Sequence, residues 1–151
     1  MMFNPRVIPV LLLSNNGLVK TKQFNDAIYI GDPINAVKIF NDKEVDEIVF
    51  LDIEASKKAQ EPNYEIIKKI ASECFIPLAY GGGITQLDQV DRILNIGVEK
   101  IIINSCAISN PNIINQIAKI TGSQSVVISI DIKKTFFGNF SIYSHSKAKV
   151  V

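Results

Sequence analysis

Leu78-Ala-Tyr-Gly-Gly-Gly-Ile84 closes an apolar run that begins at Phe75, and a helical pattern follows it from Thr85. The run reads as a buried strand and the glycines as the turn from strand to helix. Three consecutive glycines carry no Cβ, so a ligand can approach that backbone closely. Their amides can point outward, and a helix opening near Thr85 aims its positive end at the same place. A phosphate is the natural guest of such a turn. A tight turn that holds no ligand is the other reading.

Working outward, the same strand-then-helix alternation recurs. Val7–Leu13 is apolar at nearly every position and reads as a fully buried strand. Asn15-Asn16-Gly17 is turn chemistry, and Leu18–Thr21 reads as a short hairpin return carrying Lys20. Phe24–Ile30 reads as loop. Asp32-Pro33 opens a helix, with Asp as N-cap and Pro at the first helical position. Glu47–Ile53 is the next strand, and Glu61-Pro62 opens the next helix. After the glycines come a Thr-capped helix over Thr85–Asn95 ending at Gly97, and a strand over Lys100–Asn104. A helix from Asn110-Pro111 to Ile120, a strand over Ser125–Asp131 and a strand-like extension over Thr135–Tyr143 follow. This pattern is α/β, with a parallel sheet and helices outside. An open doubly wound sheet and a (β/α)8 barrel both fit it. In either, the C-terminal strand ends carry the chemistry. Asp52, Gly81–Gly83, Asn104-Ser105 and Asp131 all fall there, on one rim.

Composition bounds the rest. The chain has 151 residues, 47% hydrophobic and 21% charged, enough for one domain with a real core. A net charge of +1 gives no electrostatic reason to expect nucleic acid or an anionic membrane surface. Cys74 and Cys106 lack metal or redox spacing and read as reduced, buried hydrophobes of a cytoplasmic protein. No apolar run reaches the roughly 20 residues needed to span a bilayer. Val7–Leu13 lacks a cleavage pattern and is not read as a signal peptide.

Taken together, several short motifs are recognisable. Arg6-Val-Ile-Pro9, Gly31-Asp32-Pro33, Phe50-Leu-Asp-Ile-Glu-Ala-Ser56, Ile76-Pro77, Gly81-Gly-Gly-Ile84 and Ile103-Asn-Ser-Cys-Ala107 occur in order at close spacing. In combination they resemble HisF, the cyclase family of imidazole glycerol phosphate synthase, over about residues 5–149. The resemblance implies a (β/α)8 TIM-type barrel. It makes residues 1–151 a single partial barrel, the N-terminal half plus the start of the second half, or about the first four and a half βα units.

It also implies a reaction. Ammonia from a HisH-type glutaminase partner enters the bottom of the barrel and drives cleavage and ring closure of a phosphorylated ribulosyl aminoimidazole, without metal or organic cofactor. Asp131 matches one of the family's two catalytic aspartates, a general acid/base. Lys20 matches the lysine of the mobile loop after strand one. Gly83 and Asn104-Ser105 match the site for one substrate phosphate, with Gly81 and Gly82 in the same turn. Arg6, Glu47 and Lys100 match three of the four charges ringing the ammonia entrance. Each has a plainer reading: Asp131 as a loop cap, Lys20 as an exposed lysine, the three charges as solvated strand starts. Asp52 reads better as a turn hydrogen-bonder than as a catalyst. Lys133-Lys134 reads as a solvated pair, and His145, the single histidine, is assigned no role.

Two departures stand out. The family's other catalytic aspartate aligns with Leu12, which moves no proton. And a (β/α)8 barrel takes about 250 residues, so strands six to eight are not in this chain. An open edge of this kind invites aggregation or pairing, including self-association of half-barrels. The leucine points to a second class of HisF-like proteins, associated with surface-polysaccharide genes, that pass ammonia to a sugar-amidating enzyme. An inactive truncated copy is the third alternative.

Overall fold

The computed structural model describes residues 5–22, 24–134, 138–144 and 149–150, the last two by backbone alone. His145 and residues 135–137 lie outside the described residues.

The chain opens with β1 (Val10–Ser14), β2 (Gly17–Lys22) and β3 (Asn25–Gly31). Asn15 and Asn16 both take positive φ, 49° and 65°, which suits a two-residue turn closed by the Ser14–Gly17 pair. Then come α1 (Pro33–Asp42), β4 (Ile48–Asp52), α2 (Tyr64–Glu73), β5 (Leu78–Gly81), α3 (Leu87–Ile96) and β6 (Lys100–Ile103). The short α4 (Ser105–Ser109) precedes α5 (Asn112–Thr121) and β7 (Val126–Ile128). A small antiparallel sheet follows, of β8 (Ile132–Lys134), β9 (Phe140–Ser144) and β10 (Lys149–Val150).

The main sheet has the order β3-β2-β1-β4-β5-β6-β7, and β1, β4, β5, β6 and β7 run parallel. This is the expected α/β partial-barrel layout, and the sheet does not close: β3 forms one edge and β7 the other. The helices cover one face. Ile48, Phe50, Leu78, Tyr80, Ile101 and Ile103 meet Val37, Ile67, Ile70, Val90, Ile93, Ile113 and Ile117 in one core cluster. The helical residues recur at spacings of three and four, which puts them on one face of each helix. The other face carries a smaller cluster of Val49, Ala79 and Ile102 with Leu51 against it.

Several sequence expectations need correcting. Phe24–Ile30 is not loop, since residues 25–31 form β3, pairing antiparallel with β2. Its Ala-Ile-Tyr-Ile run is β-prone, but Ile28, Tyr29 and Ile30 are all exposed, so no hydrophobic alternation marked it. Val7–Leu13 is not fully buried. Leu13 is 2% exposed and Val10 55%, because Val10 faces the uncovered side of the open sheet. Phe75, expected in a strand, is 85% exposed and precedes it. The Glu61-Pro62 start is two residues early: Asn63 caps α2, its side chain accepting the Ile66 amide at 3.2 Å. Thr85 is not the cap of α3, which starts after Gln86. α4 was not anticipated.

Candidate functional site

The C-terminal ends of the parallel strands open onto a cleft of about 200 Å³. Its floor follows from strand register. Leu12, Leu51, Gly81, Ile102 and Val127 are successive partners across β1, β4, β5, β6 and β7, so they form one layer on the face away from the helices. One layer lower, toward the strand starts, lie Val10, Val49, Ala79 and Lys100. Side chains alternate along a strand, so Lys100 and Ile102 point to one side, and Asn104 follows directly after the strand end.

Gly81, Gly82, Gly83, Asn104, Ser105 and Asp131 all line the cleft. The glycines are dictated first by packing. Gly82 has φ +124°, and a Cβ there would lie 2.5 Å from the Asp52 carbonyl oxygen. At Gly83, with φ +72°, a Cβ would meet the Gln60 carbonyl oxygen at 2.8 Å. The outward-pointing amides expected from sequence are only partly realised. The Gly83 N–H donates to Ser56 Oγ at 3.3 Å. The open helix end is also closed off, because Gln89 Oε1 accepts the Thr85 and Gln86 amides at 2.8 and 3.1 Å.

Asp131 receives a hydrogen bond from Asn104 Nδ2 at 2.9 Å, so the carboxylate and the end of β6 hold each other in place. Asp52 Oδ1 accepts the amides of Glu54 and Ala55 at 2.9 and 3.0 Å, the turn role read from sequence. Leu12 presents a methyl-bearing wall to the cleft. Lys20 lies in the hairpin return read from sequence, which is β2. It is an exposed residue inside β2, opposite Ile28, and is not among the residues lining the cleft; Thr21 and Phe24 of the same hairpin are.

At the opposite end of the strands, Arg6, Glu47 and Lys100 come together. Glu47 is 4% exposed and accepts from Arg6 Nη2 at 3.1 Å and from Lys100 Nζ through the same oxygen, Oε2. These are therefore not three solvated strand-start charges. A buried carboxylate is tolerable only when paired in this way.

Sequence reasoning missed Ser56, Lys57, Ser129 and the two hairpin residues as cleft lining. Ser56 and Lys57 directly follow the Asp52 turn, so their place at a strand end was the available signal. Cys106 also lines the cleft, and burial pushes its thiol pKa up, which makes it a poor nucleophile. Among the described residues, no group of His, Cys, Asp and Glu could hold a metal ion. No helix of the described chain is long and apolar enough to cross a membrane.

Comparison with known proteins places these features. The model of the family described as "Histidine biosynthesis protein" matches residues 6–150. A Leptospira borgpetersenii protein, provisionally named imidazole glycerol phosphate synthase subunit HisF, is 58% identical over 98% of this chain and 59% of its own length. A Pseudomonas aeruginosa protein, provisionally named as subunit hisF2 of the same synthase, is 53% identical over 96% of this chain and 58% of its own. The imidazole glycerol phosphate synthase subunit HisF of Campylobacter concisus is 44% identical over 87% of this chain and 53% of its own. The chain thus spans less than three-fifths of the length of each of these relatives.

Proposed function

The chain belongs to the histidine biosynthesis protein family, as a HisF-like member, and from that premise we propose that it works as a HisF-type subunit of imidazole glycerol phosphate synthase. In this reading it takes ammonia from a HisH-type glutaminase and uses it on a phosphoribulosyl aminoimidazole carboxamide ribotide. The products are imidazole glycerol phosphate and aminoimidazole carboxamide ribotide. One observation carries the reading: the paired Arg6–Glu47–Lys100 cluster and the Asp131–Asn104 cleft sit at opposite ends of one apolar sheet face. A charged entrance, an apolar wall of Val49, Leu51, Ala79 and Ile102, and a polar cleft form a route that favours neutral ammonia over ammonium, because an ion pays a large desolvation cost along apolar walls.

At the cleft, Asp131 is the acid/base group, oriented by Asn104. Phosphate binds against Gly81–Gly83 and Asn104-Ser105. Lys20, on the hairpin, reaches the substrate only by movement of that hairpin. The cleft takes neither metal nor organic cofactor in this reading, and the protein works in the cytoplasm.

Leu12 favours a second reading. With a leucine beside Asp131 among the cleft's lining residues, proton transfer has one carboxylate where cyclisation calls for two. The chain would then be an ammonia-channel subunit serving glutamine-dependent amidation of a surface-polysaccharide sugar.

The test pairs two assays on the chain with a HisH-type glutaminase: ammonia-dependent turnover of the ribotide, and glutamine hydrolysis by the partner. Turnover that Asp131→Asn lowers by about 10²-fold or more supports the cyclase. Glutaminase activation without turnover supports the channel. Absence of both overturns each.

A further inference from the structure

The cleft poses an electrostatic problem for the phosphate just proposed. Its lining carries two carboxylates, Asp52 and Asp131. The turn's own donors are partly spent: the Gly83 amide on Ser56, and the Thr85 and Gln86 amides on Gln89. A doubly charged phosphoryl group entering such a site meets like charge unless a cation answers it. Among the described residues lining the cleft, Lys57 is the single cation.

Its neighbour shows why it is available. Lys58 is turned away, paired with Glu54 at 3.2 Å and within 3.4 Å of Asn15 Oδ1. Lys57 makes no ion pair among the described residues and borders the cleft. The segment that carries it is fixed at both ends. Asp52 Oδ1 holds the Glu54 and Ala55 amides, and Ser56 Oγ, one residue before Lys57, takes the Gly83 amide. The lysine's backbone is therefore tied to the glycine turn, while its four-carbon stem leaves the ammonium free to follow a ligand.

We propose that Lys57 is the charge anchor for a phosphate monoester seated against Gly82, Asn104 and Ser105. This rests on the reading of the cleft as a phosphate site and adds the residue that makes it electrostatically workable. It also assigns Ser56 a positioning role, since its hydroxyl couples the lysine-bearing segment to the turn.

The experiment titrates the purified chain with inorganic phosphate and with ribose 5-phosphate by calorimetry at low ionic strength. It compares wild type with Lys57→Gln, Lys57→Arg, Lys58→Gln and Ser105→Ala. A single charge-assisted contact is worth about tenfold in affinity. Lys57→Gln should weaken both ligands by that factor and flatten the salt dependence, Lys57→Arg should restore most of it, and Lys58→Gln should leave it unchanged. Binding that Ser105→Ala weakens but Lys57→Gln does not would keep the phosphate site and overturn the role of Lys57. Equal loss in the Lys57 and Lys58 variants would reduce the effect to general charge and overturn it too. No saturable binding by wild type would remove the phosphate site itself, and this inference with it.

Discussion

Glu47 shows how one side chain can bind two ends of a sequence. It is buried at a strand start and held by Arg6 and Lys100, 41 and 53 residues away. Removing one cation leaves a carboxylate short of a partner, which costs more than removing the cluster outright. Lys100→Met is expected to destabilise the fold by about 1–3 kcal/mol, read by urea unfolding. Lys100→Met combined with Glu47→Gln should recover part of that loss, because no unmatched charge remains; a double mutant no better than the sum of its singles would show that the pair is uncoupled. Two buried groups, Cys106 and Tyr80, and two half-buried ones, Cys74 and Tyr64, give a pH prediction. Burial raises the pKa of Cys74 and Cys106 above the ordinary 9.0, and of Tyr64 and Tyr80 above 10.0. The unfolded chain therefore releases these protons first as pH rises. The stability they lend is whole below about pH 9 and is lost on the alkaline side. The denaturation midpoint should fall steadily from pH 9 to pH 11, and a flat profile there would contradict the burial of all four groups.

At the scale of elements, the turn after β5 and the start of α3 form one joint. Gly82→Ala would drive a methyl into the Asp52 carbonyl in a backbone conformation that alanine avoids, costing more than about 2 kcal/mol. Gln89 closes the other side of the joint by accepting two amides at the helix entrance. Gln89→Ala should cost about 1 kcal/mol in chemical denaturation. The hydrogen-exchange protection lost should be concentrated in residues 85–90. Uniform loss along the chain would mean that the cap has no local role. The glycines themselves were legible as a turn, but not the reason for them. Sequence pointed to ligand approach, whereas each glycine first accommodates a neighbouring backbone, of β6 at Gly81, the end of β4 at Gly82 and the loop before α2 at Gly83. The β2–β3 hairpin was half legible. Asn15-Asn16-Gly17 announced the first turn, but β3 shows no alternation because neither of its faces is buried.

For the whole molecule, the open sheet is the dominant fact. Val10 and Val127 are exposed on its uncovered face, and Ile128 and Ile130 lie exposed at or beyond the β7 edge. An apolar edge strand of this kind is a template for pairing. Light scattering on the purified chain should show concentration-dependent association, and Ile128→Lys should reduce it; a concentration-independent monomer would show that the edge is protected. Sequence alone determined the alternation of parallel strands and helices, though not β3 or α4, and the rim bearing Asp52, the glycines, Asn104 and Asp131. Local physics suffices for these, because short apolar runs, caps and turn residues act within a few positions. It also supplied the motifs that carry family membership. Tertiary structure alone decided which donors of the glycine turn are already used, that Lys57 borders the cleft while Lys58 does not, and that Lys20 is not among the residues lining it. It also decided that Glu47 is buried between two cations. Most of these rest on contacts between residues far apart in the chain, set by strand register and by how closely backbones pack, and neither quantity is written in any single stretch of sequence.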